Sequence, residues 1–408
     1  MRKTYGTALI ALALAAVSTT VATAETSSQQ AIDNYIVVLA DTANARDVAR
    51  EHAESHGAAV GHVYSHALRG YSAQLSERAV EALTRDGRVS FVQRDGMVHT
   101  TAQTMPTGID RADAEKSATA AIDGADTRVN VDVAIIDTGI DLDHPDLNVH
   151  TAGAKNCSTG KSADDGNGHG THVAGTVGAL DNSSGVVGMA PGARVWPVRV
   201  LDNRGSGSWS AVVCGIDYVT ANADKIEIAN MSLGGSGSDD GNCGNSNNDA
   251  MHKAICASVA AGVTYVVAAG NSYVDAKGFV PAAYDEVITV SALADFDGKS
   301  GGLAGSTCRS DEDDTLANFS NFGADVDLIA PGVCINSTWK DGGYSTISGT
   351  SMASPHVAGG AALYKATNPS ASPGSVKSAL QSAGMTDWIW PAQDPDGIKE
   401  KLLNVATF

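Results

Sequence analysis

The stretch Gly349-Thr350-Ser351-Met352-Ala353-Ser354-Pro355-His356-Val357-Ala358-Gly359 joins a serine to the start of a helix. Small residues lead into Ser351, and an apolar run from Val357 to Leu363 follows it. A proline in a first helical turn is tolerated, because its missing N–H would have no intrahelical partner there. A serine so placed holds its hydroxyl at the positive end of a helix, beside free backbone N–H groups. That setting suits a nucleophile whose reaction develops an oxyanion, provided a base and an orienting acid come from elsewhere. Taken alone, such a serine reads first as an ordinary N-cap. Its partners decide.

Three other stretches supply them. Asp137 ends the apolar run Val133-Ala134-Ile135-Ile136, at the carboxyl end of a buried strand where α/β sheets gather functional groups. On its own it reads equally as a turn-bonding aspartate. His169 lies in Gly166-Asn167-Gly168-His169-Gly170-Thr171-His172, with glycines on both sides giving access to the ring. A neutral imidazole titrates near working pH and serves as a general base; His172 is expected to pack or bond locally. Asn271 follows Val266-Val267-Ala268-Ala269-Gly270. Its amide can donate to a developing oxyanion without competing as a base, although a lone Asn here would read as a turn former. The order Asp…His…Ser is one of three known solutions to the same triad geometry and differs from the Ser…Asp…His order of α/β-hydrolases. That order disfavours a lipase or esterase. A GxSxG match at Gly298-Lys299-Ser300-Gly301-Gly302 lies in a Gly- and Asp-rich segment, not between a strand and a helix, and is read as chance.

Around these residues, strand candidates run over 131–136, 194–201, 226–231, 263–268, 287–290 and 326–329. Several are near-continuous apolar runs, as strands covered on both faces require. With helical patterns between them they predict a doubly wound, mostly parallel α/β sheet. Ahead of the polar tract 100–104, residues 25–103 read as a separate small α+β domain. Strands at 35–39, 59–64, 70–75 and 89–92 and helices at 43–56 and 76–83 give the ferredoxin-like order β-α-β-β-α-β. His52 and His56 stand four apart on the first helix, but without the glutamate of H-E-x-x-H a metal there is a minor reading.

The motifs AIIDTGID, GHGTHVAGT, AAGN and GTSMASPHVAG in residues 104–408 resemble those of the subtilisin-like serine peptidases. The stretch 200–210 (Val-Leu-Asp-Asn-Arg-Gly-Ser-Gly-Ser-Trp-Ser) looks closest to the proteinase K-like branch. Residues 25–103 are similar to that family's inhibitory propeptide, which chaperones folding and is then removed. The resemblance implies that Ser351 attacks the scissile carbonyl, His169 moves the proton, Asp137 orients His169, and Asn271 holds the oxyanion with the Ser351 N–H. It also implies that Gly205 and Gly207 on one side, and Ser232, Leu233 and Gly234 on the other, pair with an extended substrate, with Trp209 and Leu233 walling outer subsites. No catalytic cofactor is implied, whereas structural calcium is. The expected partners are protein and peptide substrates and the chain's own propeptide, with the enzyme a monomer. The segment 272–281 is expected to line the primary specificity pocket, and leaves apolar preference and an acidic floor both open. The carboxylates of 295–314 read either as a calcium site or as a solvated acidic loop.

Composition sets the compartment. Arg2 and Lys3, an apolar stretch from Ala8 to Val17 and Ala22-Thr23-Ala24 form an export signal over 1–24. That stretch is too short to cross a bilayer, and the mature protein is expected to be secreted. A net charge of −19 argues against nucleic acid or an anionic membrane surface as partner. Six cysteines fit an oxidising compartment. The sequence does not choose among their pairings; loop proximity and strand order suggest Cys157–Cys214, Cys243–Cys256 and Cys308–Cys334. No CxxC pair points to metal ligation. The alternative to an enzyme is a non-catalytic peptide-binding protein on a peptidase scaffold, disfavoured because no triad member is missing.

Overall fold

The computed structural model describes residues 32–96, 103–390 and 396–408. The expected export signal and part of the expected processing region, 100–106, lie outside these residues. The chain divides into two compact units, Met1–Thr100 and Thr101–Phe408.

The first unit follows its predicted order: β1 (Ile32–Leu39), α1 (Ala45–His56), β2 (Ala59–Tyr64), β3 (Gly70–Ser76), α2 (Glu77–Thr84) and β4 (Val89–Arg94). The sheet order is β2-β3-β1-β4, all pairs antiparallel. Alternation along β1 sends Tyr35, Val37 and Leu39 inward against Val48 and Ala49 of α1 and Ala79 and Leu83 of α2. Burial of such side chains stabilises by about 1.5–3 kcal/mol for the larger ones. Asn44 caps α1 by accepting from the Arg46 N–H, and Ser76 caps α2 by accepting from the Ala79 N–H. His52 is not free for a metal: Nδ1 lies 2.5 Å from the Tyr71 hydroxyl and Nε2 3.1 Å from Asp86.

The second unit opens with α3 (Thr107–Arg111), β5 (Asp132–Asp137), β6 (Lys155–Asn156), α4 (His169–Gly178), β7 (Arg194–Arg199) and α5 (Trp209–Ala221). It continues through β8 (Ile228–Met231), β9 (Gly235–Ser236), α6 (Ala250–Ala260), β10 (Thr264–Ala268), β11 (Phe279–Val280), β12 (Ile288–Ala294) and β13 (Thr315–Leu316). It closes with β14 (Leu328–Pro331), β15 (Ile335–Trp339), β16 (Gly343–Ile347), α7 (Thr350–Thr367), α8 (Pro373–Ala383) and β17 (Lys401–Leu402). The main sheet runs β17-β14-β12-β10-β8-β5-β7-β6 with parallel neighbours, and β13 adds antiparallel to β12. Each predicted strand is present. Their apolar runs are continuous because both faces are covered. Val133 and Ile135 meet Val173 and Val177 of α4 and Val357 and Ala361 of α7 on one face. Ala134 and Ile136 meet Val212 and Ile216 of α5 and Ile255 of α6 on the other.

Strand order reverses around β5, since the chain moves from β5 outward to β7 and then returns to β8 on the opposite side. The carboxyl ends of β5, β8 and β10 therefore stand side by side and carry Asp137, Ser232 and Asn271 to one crevice, as the switch-point rule expects.

Three details differ from the sequence reading or resolve it. Pro355 is not in the first turn of α7; it is the sixth helical residue. It cannot donate to the Ser351 carbonyl, and the Ser232 hydroxyl donates to that oxygen at 2.8 Å instead. All six cysteines are paired, as Cys157–Cys214, Cys243–Cys256 and Cys308–Cys334. The 295–314 segment is not a solvated acidic loop, because Asp295, Asp311, Asp313 and Asp314 are buried. Asp313 accepts from the N–H groups of Phe296 and Ala304, and Asp314 from those of Gly301 and Gly302. Buried Arg111 lies 3.1 Å from Asp295 and 3.0 Å from Asp314. Burial pushes the Asp295 carboxyl up to about 7, against the pull of the Gly298 N–H and Arg111.

Candidate active site

Asp137, the last residue of β5, is fully buried. Its Oδ1 accepts from the Thr138 N–H at 2.7 Å and from His169 Nδ1 at 2.8 Å. His169 opens α4 and its side chain is 26% exposed, so the ring reaches solvent on the side away from Asp137. Gly168 just before it takes φ 114° and faces Trp339 so closely that an added Cβ would lie 2.2 Å from the indole. Only glycine fits that bend. Burial lowers the His169 pKa, but the Asp137 charge and hydrogen bond outweigh it and hold it above the ordinary 6.5. His172 lacks such a carboxylate: burial drops it to about 3, and its Nε2–H is shared between the Ile335 and Ser345 carbonyls.

Asp165, which the sequence reading passed over, fixes the entry to α4. It accepts from the N–H groups of Asn167, Gly168 and Thr171, and from the hydroxyls of Thr138 and Thr171. Its legible signal was an aspartate a few residues ahead of a helix start, the pattern of a capping carboxylate.

Ser351 is the second residue of α7, whose N-cap is Gly349 with no capping side chain, so Ser351 is not the N-cap. Its hydroxyl donates to the Ser232 carbonyl at 3.2 Å. Asn271 Oδ1 accepts from the Thr350 N–H at 2.8 Å and the Thr350 hydroxyl at 3.0 Å. Because Oδ1 is committed to a donor, the amide N–H₂ is the end left for the cleft. Thr350 also donates its hydroxyl toward this site while accepting from the Gly270 N–H at 3.1 Å. Beneath the serine, Ser354 donates to buried Asn230 at 2.7 Å, and Asn230 donates to Ser232 at 2.9 Å. These ties join α7 to β8.

A cavity of about 620 Å³ is lined by His169, Asn271 and Ser351 together with Gly205, Gly207, Trp209, Ser232, Leu233 and Gly234. Asp137 stands behind His169, outside the lining. Residues 205–207 and 232–234 both line it, and neither belongs to a strand. Of the 272–281 segment, Phe279 lines the cavity, whereas Tyr273 lines a separate one with Asp311 and Asn318. The Phe279 ring fills the space beside two glycines: an added Cβ would meet it at 2.4 Å on Gly234 and 3.1 Å on Gly270. No carboxylate lines the main cavity; Arg204 is its one cation among the described residues.

Residues 129–397 match the Subtilase family and residues 34–101 the Peptidase inhibitor I9 family. The extracellular serine proteinase of Thermus sp. (strain Rt41A) is 40% identical over 333 residues, 79% of this chain and 73% of its own. The alkaline protease of Alkalihalobacillus alcalophilus is 38% identical over 311 residues, 76% of this chain and 73% of its own. A crystal structure of a cold-adapted subtilisin-like serine proteinase aligns with TM-score 0.57 and 34% identity, covering 73% of this chain and 97% of that one. The catalytic-type motifs, the parallel sheet with its crevice and these matches converge: the chain belongs to the subtilase family, and is a serine endopeptidase preceded by an I9 inhibitor domain.

Proposed function

We propose that Asp137, His169 and Ser351 form the catalytic triad, that Asn271 and the Ser351 N–H form the oxyanion site, and that the enzyme is exported as a precursor and cleaves off its own propeptide. The observation that carries this is the 2.8 Å contact between Asp137 Oδ1 and His169 Nδ1, with Ser351 in the same cleft. Asp137 fixes the tautomer with Nδ1 protonated, leaving Nε2 as the base. His169 takes the Ser351 proton as Oγ attacks the peptide carbonyl, then returns it to the leaving amine. The acyl-enzyme is released by water through the same base. The Asn271 amide and the Ser351 N–H stabilise the oxyanion, and being fixed beforehand they reorganise little as charge develops. The substrate backbone pairs between 205–207 and 232–234. The mechanism is that of the family, carried onto matching residues.

The propeptide, residues 25–103, acts as intramolecular inhibitor, and the mature enzyme is a secreted monomer without membrane or nucleic-acid partners. The cut falls within 100–106. Gln103 supports a cut on its own N-terminal side, which would leave it with the mature enzyme and end the propeptide short of the 103 expected from the sequence, since its backbone N–H donates to the Ser183 carbonyl and its side chain to the Leu180 carbonyl, both in the second unit. Ser351→Ala in the full chain tests the whole reading: peptide hydrolysis should vanish and the precursor should stay uncut. Retained activity or normal processing would overturn it.

The primary pocket, closed by Phe279 and free of carboxylates, supports preference for apolar uncharged side chains. A peptide-library profile favouring lysine or arginine at the cleaved residue would reverse that.

In the 295–314 segment the carboxylates of Asp295, Asp297 and Asp313 come close enough together to hold an ion, although backbone N–H groups and the Arg111 guanidinium already take up part of their charge. Structural calcium is carried over as the family's expectation, with no ligand set named. Chelation should lower the melting temperature and added calcium should restore it; an unchanged melting curve would remove the expectation.

A further inference from the structure

We propose that Asp239, Asp240 and His252 form a binding site for a divalent d-block ion such as zinc, on the loop that leaves the substrate-pairing edge. This loop runs from β9 to α6 and is closed by the Cys243–Cys256 disulfide. His252 is fully buried, and its Nδ1 has no hydrogen-bond partner among the described residues. The nearest carboxylate oxygens are Asp240 Oδ1 at 3.5 Å and Asp239 Oδ1 at 3.8 Å.

The other ring nitrogen decides the chemistry. Nε2 lies 2.9 Å from Glu286 Oε2, and in the tautomer that donates to this carboxylate Nδ1 turns its lone pair toward the two Asp oxygens. Three carboxylates around one buried ring call for positive charge between them, from a proton on Nδ1 or from a bound cation. The spacing is long for N–H···O bonds, which fall at about 2.7–3.2 Å. It suits an ion with bonds of about 2.0–2.2 Å in tetrahedral array, whose ligand atoms stand roughly 3.3–3.5 Å apart. A ligating histidine that donates its second N–H to a carboxylate is the usual arrangement at zinc. Glu286 fills that role, and Tyr284 stacks on the ring at 4.0 Å and 2°.

The carboxylates are oriented in advance. Asp240 Oδ1 accepts from the N–H groups of Asn242 and Gly244, and Asp239 accepts from those of Gly241 and Asp285. One imidazole and two carboxylates with a position left for water favour zinc over calcium, which takes six or more oxygens. The disulfide sulfurs of Cys243 and Cys256 lie near the same imidazole but cannot ligate while bonded to each other. An ion here ties the 239–240 end of the loop to α6 and to the 284–286 turn.

The test uses the full chain with Ser351→Ala, which prevents self-digestion, and adds Asp239→Asn or His252→Gln in that background. After equilibration with zinc and desalting, the variants should each carry one zinc fewer per chain than the parent. Zinc should raise the parent's melting temperature more than theirs, and excess calcium should not displace it. Cobalt in place of zinc should give the parent, not the variants, an intense tetrahedral visible spectrum. Because His252 is buried and its replacement can impair folding, the partly exposed Asp239 supplies the independent variant. Equal zinc content in parent and both variants, or binding that needs the disulfides reduced, would overturn the proposal.

Discussion

The two helices that enter the cleft begin in opposite ways. At the start of α4 the N–H groups of the entry and the first turn are spent: Asp165 takes those of Asn167, Gly168 and Thr171, Asn167 accepts from the His169 N–H, and Thr138 accepts from the Gly170 N–H. At the start of α7 no side chain of the helix caps it; Asn271 takes the Thr350 N–H and the Ser351 N–H stays available. In the roles proposed above, the base needs a ring held in one orientation, and its helix end is closed around a carboxylate. The nucleophile would need donors for a charge that exists only during reaction, and its helix end is left open. On that reading the closed end locks and the open end catalyses.

Breaking the locked side at its deepest point should cost most. Asp137→Asn keeps the shape but lets the imidazole adopt the wrong tautomer, and kcat should fall by about 10⁴-fold. The same variant carries a pH signature. In the parent the neutral base is active, so activity falls as pH drops through the His169 pKa, which the Asp137 charge holds above 6.5. Without that charge the midpoint should move to lower pH. A pH–rate profile with the same midpoint in both proteins would contradict the role given to Asp137. Emptying the open side should cost less. Asn271→Ala removes one oxyanion donor and should lower kcat by about 10²–10³-fold with little change in KM. A loss mainly in KM would mean that Asn271 binds the ground state and that the open end is structural.

Much of this arrangement was legible along the chain. Six strands of the main sheet in the second unit showed as apolar runs because they are covered on both faces, whereas the β15–β16 hairpin did not show. The propeptide strands and helices showed in their periodicity, and Asp137, His169, Asn271 and Ser351 in their places at strand and helix ends. What escaped depends on contacts between distant residues. Nothing in the local pattern of Asp295 to Asp314 announces that Arg111, far earlier in the chain, sits among these carboxylates. That partner lets Asp295 and Asp314 be buried, where the sequence left a calcium site and a solvated loop both open. Tyr273 follows Asn271 closely, yet its backbone turns through φ 51° and its N–H donates to the Phe319 carbonyl, so it lines another cavity. Phe279, six residues farther on, reaches the pocket. Spacing from Asn271 alone could not separate them.

The proline in α7 has a mechanical consequence. It leaves one rung of the helix ladder empty, and Ser232 fills it from the substrate edge while its own carbonyl receives the Ser351 hydroxyl. The two segments are thereby riveted by a reciprocal pair of bonds. The Ser232 segment and the first turn of α7 are therefore coupled through these two bonds. The helix cannot breathe there without loosening the edge, so both should open in one cooperative event.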